Sequence, residues 1–267
     1  MADDRQLAPA ERYEKDMVPA MFRPFAEDLV NGLELGQAMR VADIGCGTGI
    51  VARLIAARLD AACTVTGIDI NAGMLGVARR CSTQSGCRQE WIEASAEALP
   101  FDDGSIDLIV SQHAFMLFPD KDQASREMYR VLRGGGEAHV SVWRNYRHQP
   151  HFAALIAALD EVAGGGAAEL LKGAFLFESD NAVRALIEGG GFSRVRVKTV
   201  TKTVRFPSAD DFVRMEVSGS ILARMGIEID DNALAHLSAN VSAATREFSS
   251  EAGLVVPMEA FVAEASK

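Results

Sequence analysis

The chain has 267 residues, 48% of them apolar and 24% charged, with a net charge of −10 at pH 7. That is the composition of a globular protein with a full core, and the acidic balance disfavours a polyanion binder, nucleic acid included. No run approaches the ~18 apolar residues of a membrane span, and the charged start "MADDRQLAPAERYEKD" has no secretory h-region, so a cytoplasmic location is expected.

Residues 1–35 read as a helical preface, broken at Pro19 and Pro24 and stopped by Asn31-Gly32. From residue 39 the texture changes to alternation. "MRVADI" is a strand, and "GIVARLIAARLD" follows with apolar residues at helical spacing. "TVTGIDI" is a second strand. "NAGMLGVARRC" is a helix with Asn71 as its N-cap. "RQEWIEA" and "SIDLIVS" are the third and fourth strands. A helix over 121–133 is expected to stop at Gly134-Gly135-Gly136, and "EAHVSVW" is a fifth strand. Strands alternating with helices of this length imply a doubly wound α/β sheet.

After Trp143 the rhythm loosens. A helix over 151–163 meets a glycine break at 164–166, a helix over 180–189 follows, and a β-rich run spans 193–206. Residues 208–250 read as helical, and "LVVPMEAFVAEA" as a last strand. The four cysteines, Cys46, Cys63, Cys81 and Cys87, form no C-x-x-C pair and read as reduced thiols; no metal cluster is expected.

The stretch "VADIGCGTGI" carries the chemistry. It follows a strand and opens a helix, where unpaired amides and glycine backbone receive a ligand closely. The spacing Gly45, Gly47, Gly49 puts the third glycine one position early for a dinucleotide cradle. Asp43, two residues ahead, would repel a pyrophosphate but suits a ligand carrying an ammonium and a sulfonium. Asp69, ending the second strand, suits ribose hydroxyls of either ligand class.

These motifs resemble class I S-adenosylmethionine (SAM)-dependent methyltransferases. "VADIGCGTG" is similar to their first motif, and "GIDINAGML" to their second-strand acid and following helix. "ASAEALPFDDGSIDLIVSQHAFMLFPD" and "EMYRVLRGGGEAHVSVW" resemble the ubiquinone/menaquinone-biosynthesis-like branch (methyltransferase type 11). The resemblance is dense over 38–145 and loose over 146–253. It implies a single domain with a Rossmann-like seven-stranded sheet of order 3-2-1-4-5-7-6, strand seven antiparallel, and helical cover insertions at 146–180 and 207–250. It also implies SAM as cofactor and a small-molecule acceptor.

The cofactor residues it implies are Tyr13, Asp43, Gly45, Cys46, Gly47, Asp69, Ile70, Met74, Ala96, Glu97, Ser111 and Gln112. His113, leaving the fourth strand, is the candidate general base, because histidine titrates near neutrality. His148, His151 and Trp143 are candidates for the acceptor wall. The cover residues expected over the acceptor are Phe152, Phe175, Phe177, Phe212, Met215, Ile221, Leu222 and Met225. No [DN]-P-P-[YFW] motif follows strand four, which counts against an amino-methylating nucleic-acid enzyme. Two alternatives stay open: a SAM-binding regulatory protein without catalysis, and an NAD(P)-dependent oxidoreductase on a similar sheet. The sequence also leaves a homodimer open.

Overall fold

The computed structural model describes residues 4–82, 86–162, 165–220, 222 and 226–267. The alternating half folds as β1 (Arg40–Ile44), α3 (Ile50–Ala56), β2 (Thr64–Asp69), α4 (Ala72–Cys81), β3 (Arg88–Glu93), β4 (Ile106–Gln112), α5 (Lys121–Val131) and β5 (Leu132–Trp143). Strands β1 to β5 are parallel. The chain then runs through α6 (Pro150–Val162), α7 (Gly165–Lys172), α8 (Asp180–Gly189) and β6 (Ser193–Phe206). It continues through α9 (Ala209–Gly219) and α10 (Asp231–Ala244), the two-residue β7 (Ser249–Ser250) and β8 (Gly253–Ser266).

The sheet order is β3-β2-β1-β4-β5-β8-β6, with β8 antiparallel to both β5 and β6. The last long strand therefore slots between the fifth and sixth, as expected. The small β7 pairs only with the start of β8. Because β6 runs parallel to β5, it delivers α9 to the edge where β1, β2, β4 and β5 end. Alternate side chains bury both sheet faces. Ile109, Val140 and Val142 face one core with Met128 and Ile187. Val41, Val65 and Val110 face the other with Leu29, Val51 and Ile55.

Two boundaries differ from expectation. The prolines do not break the preface, which runs from α1 (Asp4–Arg12) through a π-helix (Tyr13–Phe22) into α2 (Arg23–Asn31). Pro24 sits in the first turn of α2, where no amide is needed. Pro19 falls inside the wide π segment, whose looser turn spares the clash an α-helix would suffer. The glycine triplet does not stop α5, which ends at Val131. Gly134 to Gly136 belong to β5, where the pairing jumps from Ile106↔Leu132 to Leu108↔Glu137. A Cβ on Gly136 would stand 2.8 Å from the Leu132 side chain and 2.9 Å from the Asp107 carbonyl, so the glycine serves that close turn of the strand. Of the glycine break, Gly164 lies outside the described residues.

Candidate active site

Strands β1, β2, β4 and β5 end on one edge. The loops beyond them, the π-helix and segments after β5 enclose a cavity of about 460 Å³, within the roughly 300–1,000 Å³ of small-ligand sites. From β2 to β5 is three strand spacings, roughly 14 Å. The cavity touches β2 at one side, through Asp69, and β5 at the other, through Trp143.

The glycine loop divides its labour. Gly45 and Cys46 donate to the Ile68 carbonyl at 2.7 and 2.9 Å, extending the β1–β2 pairing into the loop. Gly45 has φ +70°, and a Cβ there would lie 2.3 Å from that of Ala114. Gly49 has φ +83°, and a Cβ would lie 2.3 Å from the Trp91 ring. Only Gly47 has open space beside it, its nearest neighbour being Tyr13 at 4.0 Å. Two of the three glycines thus answer to packing within the protein, and Gly47 to the cavity. Gly45, Cys46 and Gly47 line the cavity; Cys46 is a buried thiol that burial pushes well above its ordinary pKa.

Both acids of the first two strands line the cavity. Asp43 is 1% exposed, and its Oδ2 accepts from the Ala52 amide at 3.0 Å, so it caps α3 from beneath. Burial pushes its pKa up to about 7. Asp69 adds to the rise, while the Ala52 amide and the Arg53 charge oppose it. Asp69 accepts from the Gly47 amide and from the Asn71 amide, both at 2.8 Å, tying β2 to the loop. Asn71 caps α4, accepting from Gly73 and Met74 at 2.9 and 3.1 Å. Met74 lines the cavity from below, and Ile70, 73% exposed, stands at its rim as a flat apolar support.

Ala96 and Glu97 also line the cavity. The Glu97 carboxylate is engaged by the Ser95 hydroxyl and by the Asp120 amide at 3.1 Å, which clamps the loop after β3 to the start of α5. Gln112 donates from Nε2 to the Phe22 carbonyl at 3.1 Å and borders the cavity. Ser111 does not reach it. Its side chain lies on the other sheet face, fully buried. The β-alternation that brings Gln112 toward the preface turns Ser111 away.

His113 lines the cavity at 5% exposure, with its backbone at φ +51°. Its ring stacks on Trp143, centroids 3.3 Å apart, and meets Phe25 edge-on at 5.2 Å. Among the described residues neither ring nitrogen has a hydrogen-bond partner. Burial drives its pKa well below 6.5, which removes the near-neutral titration behind the general-base expectation. Trp143 lines the cavity as expected. His148 is an exposed turn residue, and His151 is fully buried among Phe152, Phe206 and Phe212, away from the cavity. Helix α6 begins at Pro150, and its first turn directs His151 into the core.

Of the expected cover residues, Phe152 and Phe175 line the cavity. Phe177, Phe212, Met215 and Leu222 pack in the core instead, and Ile221 and Met225 lie outside the described residues. From α9 the cavity receives Glu216 and Gly219, followed by Ser220. The sequence reading missed Met17, Met21 and Phe22 of the preface. Tyr13, Met17 and Met21 recur every fourth residue, a signal that was present. Four lining residues are carboxylates (Asp43, Asp69, Glu97 and Glu216), and none of the described lining residues is Lys or Arg. Such a site favours a cationic ligand over a pyrophosphate.

Residues 42–140 match the methyltransferase domain family. The ubiquinone/menaquinone biosynthesis C-methyltransferase UbiE of Stenotrophomonas maltophilia is 45% identical over 103 residues, which make up 38% of this chain and 41% of that protein. The chain thus spans about two fifths of the length of the curated relatives it matches. The solved YcgJ protein of Bacillus subtilis shares the fold with a TM-score of 0.59 at 18% identity, over 91% of this chain and 97% of the other. Haemonchus contortus phosphoethanolamine N-methyltransferase 2, solved with phosphomonomethylethanolamine and S-adenosylhomocysteine, gives a TM-score of 0.56 at 16% identity, over 92% of this chain and 52% of the other.

Proposed function

We propose that this chain, which carries the class I SAM-dependent methyltransferase fold and the family's domain over residues 42–140, transfers a methyl group from SAM to a small, partly apolar acceptor. One observation carries the reading. A single cavity joins a glycine loop and two strand-end carboxylates to an aromatic wall. SAM supplies a methyl group already activated on a sulfonium, so the protein's task is alignment, which can contribute ~7–11 kcal/mol.

In this reading Asp69 receives the ribose hydroxyls, and Ile70 and Met74 flank the adenine. Ala96 and Glu97 border the adenine edge. Asp43 and Gly47 face the methionine part, where Asp43 balances its positive charge. Tyr13 closes over Gly47. The acceptor lies toward β4 and β5, against Trp143, Phe22, Phe152 and Phe175. His113, neutral in its aromatic setting, is suited to hydrogen-bond an acceptor group more than to take its proton. Helix α9 and the residues 150–162 and 165–175 form the cover. The four carboxylates also weigh against an NAD(P)-dependent enzyme.

The test is thermal stabilisation. S-adenosylhomocysteine at about 100 times its Kd should add ~2.7 kcal/mol, while NAD and NADP add nothing. Stabilisation by NAD alone would overturn the reading. Turnover of any acceptor, followed by mass spectrometry with labelled SAM, separates an enzyme from a SAM-binding regulator. Among the described residues no helix is long and apolar enough to cross a membrane. A cytoplasmic location and a homodimer are further proposals, checked by cell fractionation and light scattering.

A further inference from the structure

Arg53 lies in α3, one turn beyond the glycine loop, and is 9% exposed. Two elements meet at its guanidinium, and a third lies within reach of its charge. Nη1 donates to the Thr48 carbonyl inside the loop, and Nη2 donates to Glu14 Oε1 of the π-helix at 2.6 Å. Asp43, in β1, is near enough for the arginine's charge to lower its pKa. The Arg53 and Glu14 side chains are 10% and 21% exposed, so water screens the pair only weakly.

The rest of the preface is tied down differently. The Glu11–Arg80 pair is half exposed on both sides, and exposed pairs of that kind hold little. Arg12 donates to the Ser218 carbonyl, which binds the preface to α9 and not to the loop. Glu14 is next in sequence to Tyr13, whose ring borders Gly47, and Met17 follows on the cavity side.

We propose that Arg53 is a positioning residue. By holding the glycine loop with one nitrogen and Glu14 with another, it latches the π-helix across the cofactor end of the cavity and slows cofactor release. The proposal rests on the SAM reading above. It assigns Arg53 and Glu14 no contact with the cofactor; they act through Tyr13 and Met17.

The experiment is stopped-flow displacement of S-adenosylhomocysteine from the full chain. Glu14→Gln keeps the size and removes the charge. It should raise the dissociation rate about ten-fold, because losing one member of a shielded ion pair acts chiefly on release. The association rate should change less than two-fold. KM for SAM should rise with little change in kcat. Arg53→Lys, which keeps the charge but cannot hold both oxygens at once, should fall between. The double variant should be no worse than the weaker single one. Glu11→Gln is the control and should behave as wild type. If Glu14→Gln folds with wild-type stability and releases the ligand at the wild-type rate, the latch is wrong and the SAM reading stands. If the wild type binds no S-adenosylhomocysteine, both fall.

Discussion

Replacing Asp43 with Asn tests whether the buried strand acid is an electrostatic burden that the cofactor relieves. The carboxyl is 1% exposed, and burial raises its pKa from 3.8 to about 7 against the opposing help of the Ala52 amide and Arg53. Asp69 and Cys46 are the other titratable groups beside it. A raised folded-state pKa means the native protein holds this proton more tightly than the unfolded chain. The associated stability is fully present below about pH 4 and is lost as pH rises through 7. From 3.8 to about 7 the difference corresponds to ~4 kcal/mol at 1.36 kcal/mol per pKa unit. In the Asp43→Asn variant the side-chain amide keeps an oxygen for the Ala52 N–H and does not titrate. The assay is urea unfolding of both proteins from pH 4.5 to 8.5. The wild type should lose several kcal/mol relative to Asp43→Asn across that range, and other titrating groups cancel in the difference. Bound S-adenosylhomocysteine, whose ammonium favours the ionised carboxylate, should shrink the gap, and wild-type affinity should rise with pH through 7. Stability curves that stay parallel within about 1 kcal/mol would refute the argument.

Asp69→Ala removes the expected ribose acceptor together with the tie to Gly47, and calorimetry should show S-adenosylhomocysteine binding at least ten-fold weaker, ~1.4 kcal/mol; unchanged affinity would place the acid elsewhere. Gly49→Ala forces a side chain into φ +83° and against Trp91 at 2.3 Å. It should cost about 3 kcal/mol in denaturant unfolding, and a wild-type midpoint would contradict the packing assigned to that glycine. His151 is a buried, uncharged base whose pKa burial lowers to about 3. Its folded-state pKa is depressed, so the unfolded chain binds the proton more readily, and stability falls as pH drops below about 6.5. His151→Phe should flatten that acid limb between pH 7 and 4, and an unchanged acid transition would show that another group drives it.

The first five strands were legible from short apolar or alternating runs bounded by turn residues, weakest in β3 where only Trp91 and Ile92 are apolar, and their order came from the resemblance to the methyltransferase family. Asn71 was legible as a cap for the same local reason. Where a residue's role depends on which way the chain turns next, the reading failed. Gly134 to Gly136 look like a helix stop, yet α5 passes straight into β5 and the glycines absorb the approach of Leu132 and Asp107. His151 follows strand five closely enough to suggest the pocket, yet one helical turn carries it into the core. Gly49 and Gly45 sit in a cofactor motif, yet the atoms that forbid a side chain there belong to Trp91 and Ala114, which no local pattern names.

The same contrast separates the two ends of the cavity. The end toward β2 is made largely by lining residues between Asp43 and Glu97, inside the stretch that matches the family, with Tyr13 of the preface over Gly47. The wall toward β5 is made by Met17, Met21 and Phe22 from the preface, Trp143, Phe152 and Phe175, and by Glu216 to Ser220 from α9. Those segments are separated by up to about two hundred residues and lie outside 42–140, and His113 at the end of β4 meets them from inside it. Gly219 lets α9 approach Met17, whose sulfur would stand 3.2 Å from a Cβ there, so the preface and the cover shape one another. In the proposed reading, cofactor binding and acceptor choice rest on largely different contacts, with Tyr13 and Met17 of the preface bordering both. Phe152 and Phe175 line the acceptor side in this reading, so a substitution at either should alter which acceptor is methylated while leaving S-adenosylhomocysteine affinity close to wild type. A parallel loss of both would mean that the acceptor wall holds the cofactor too.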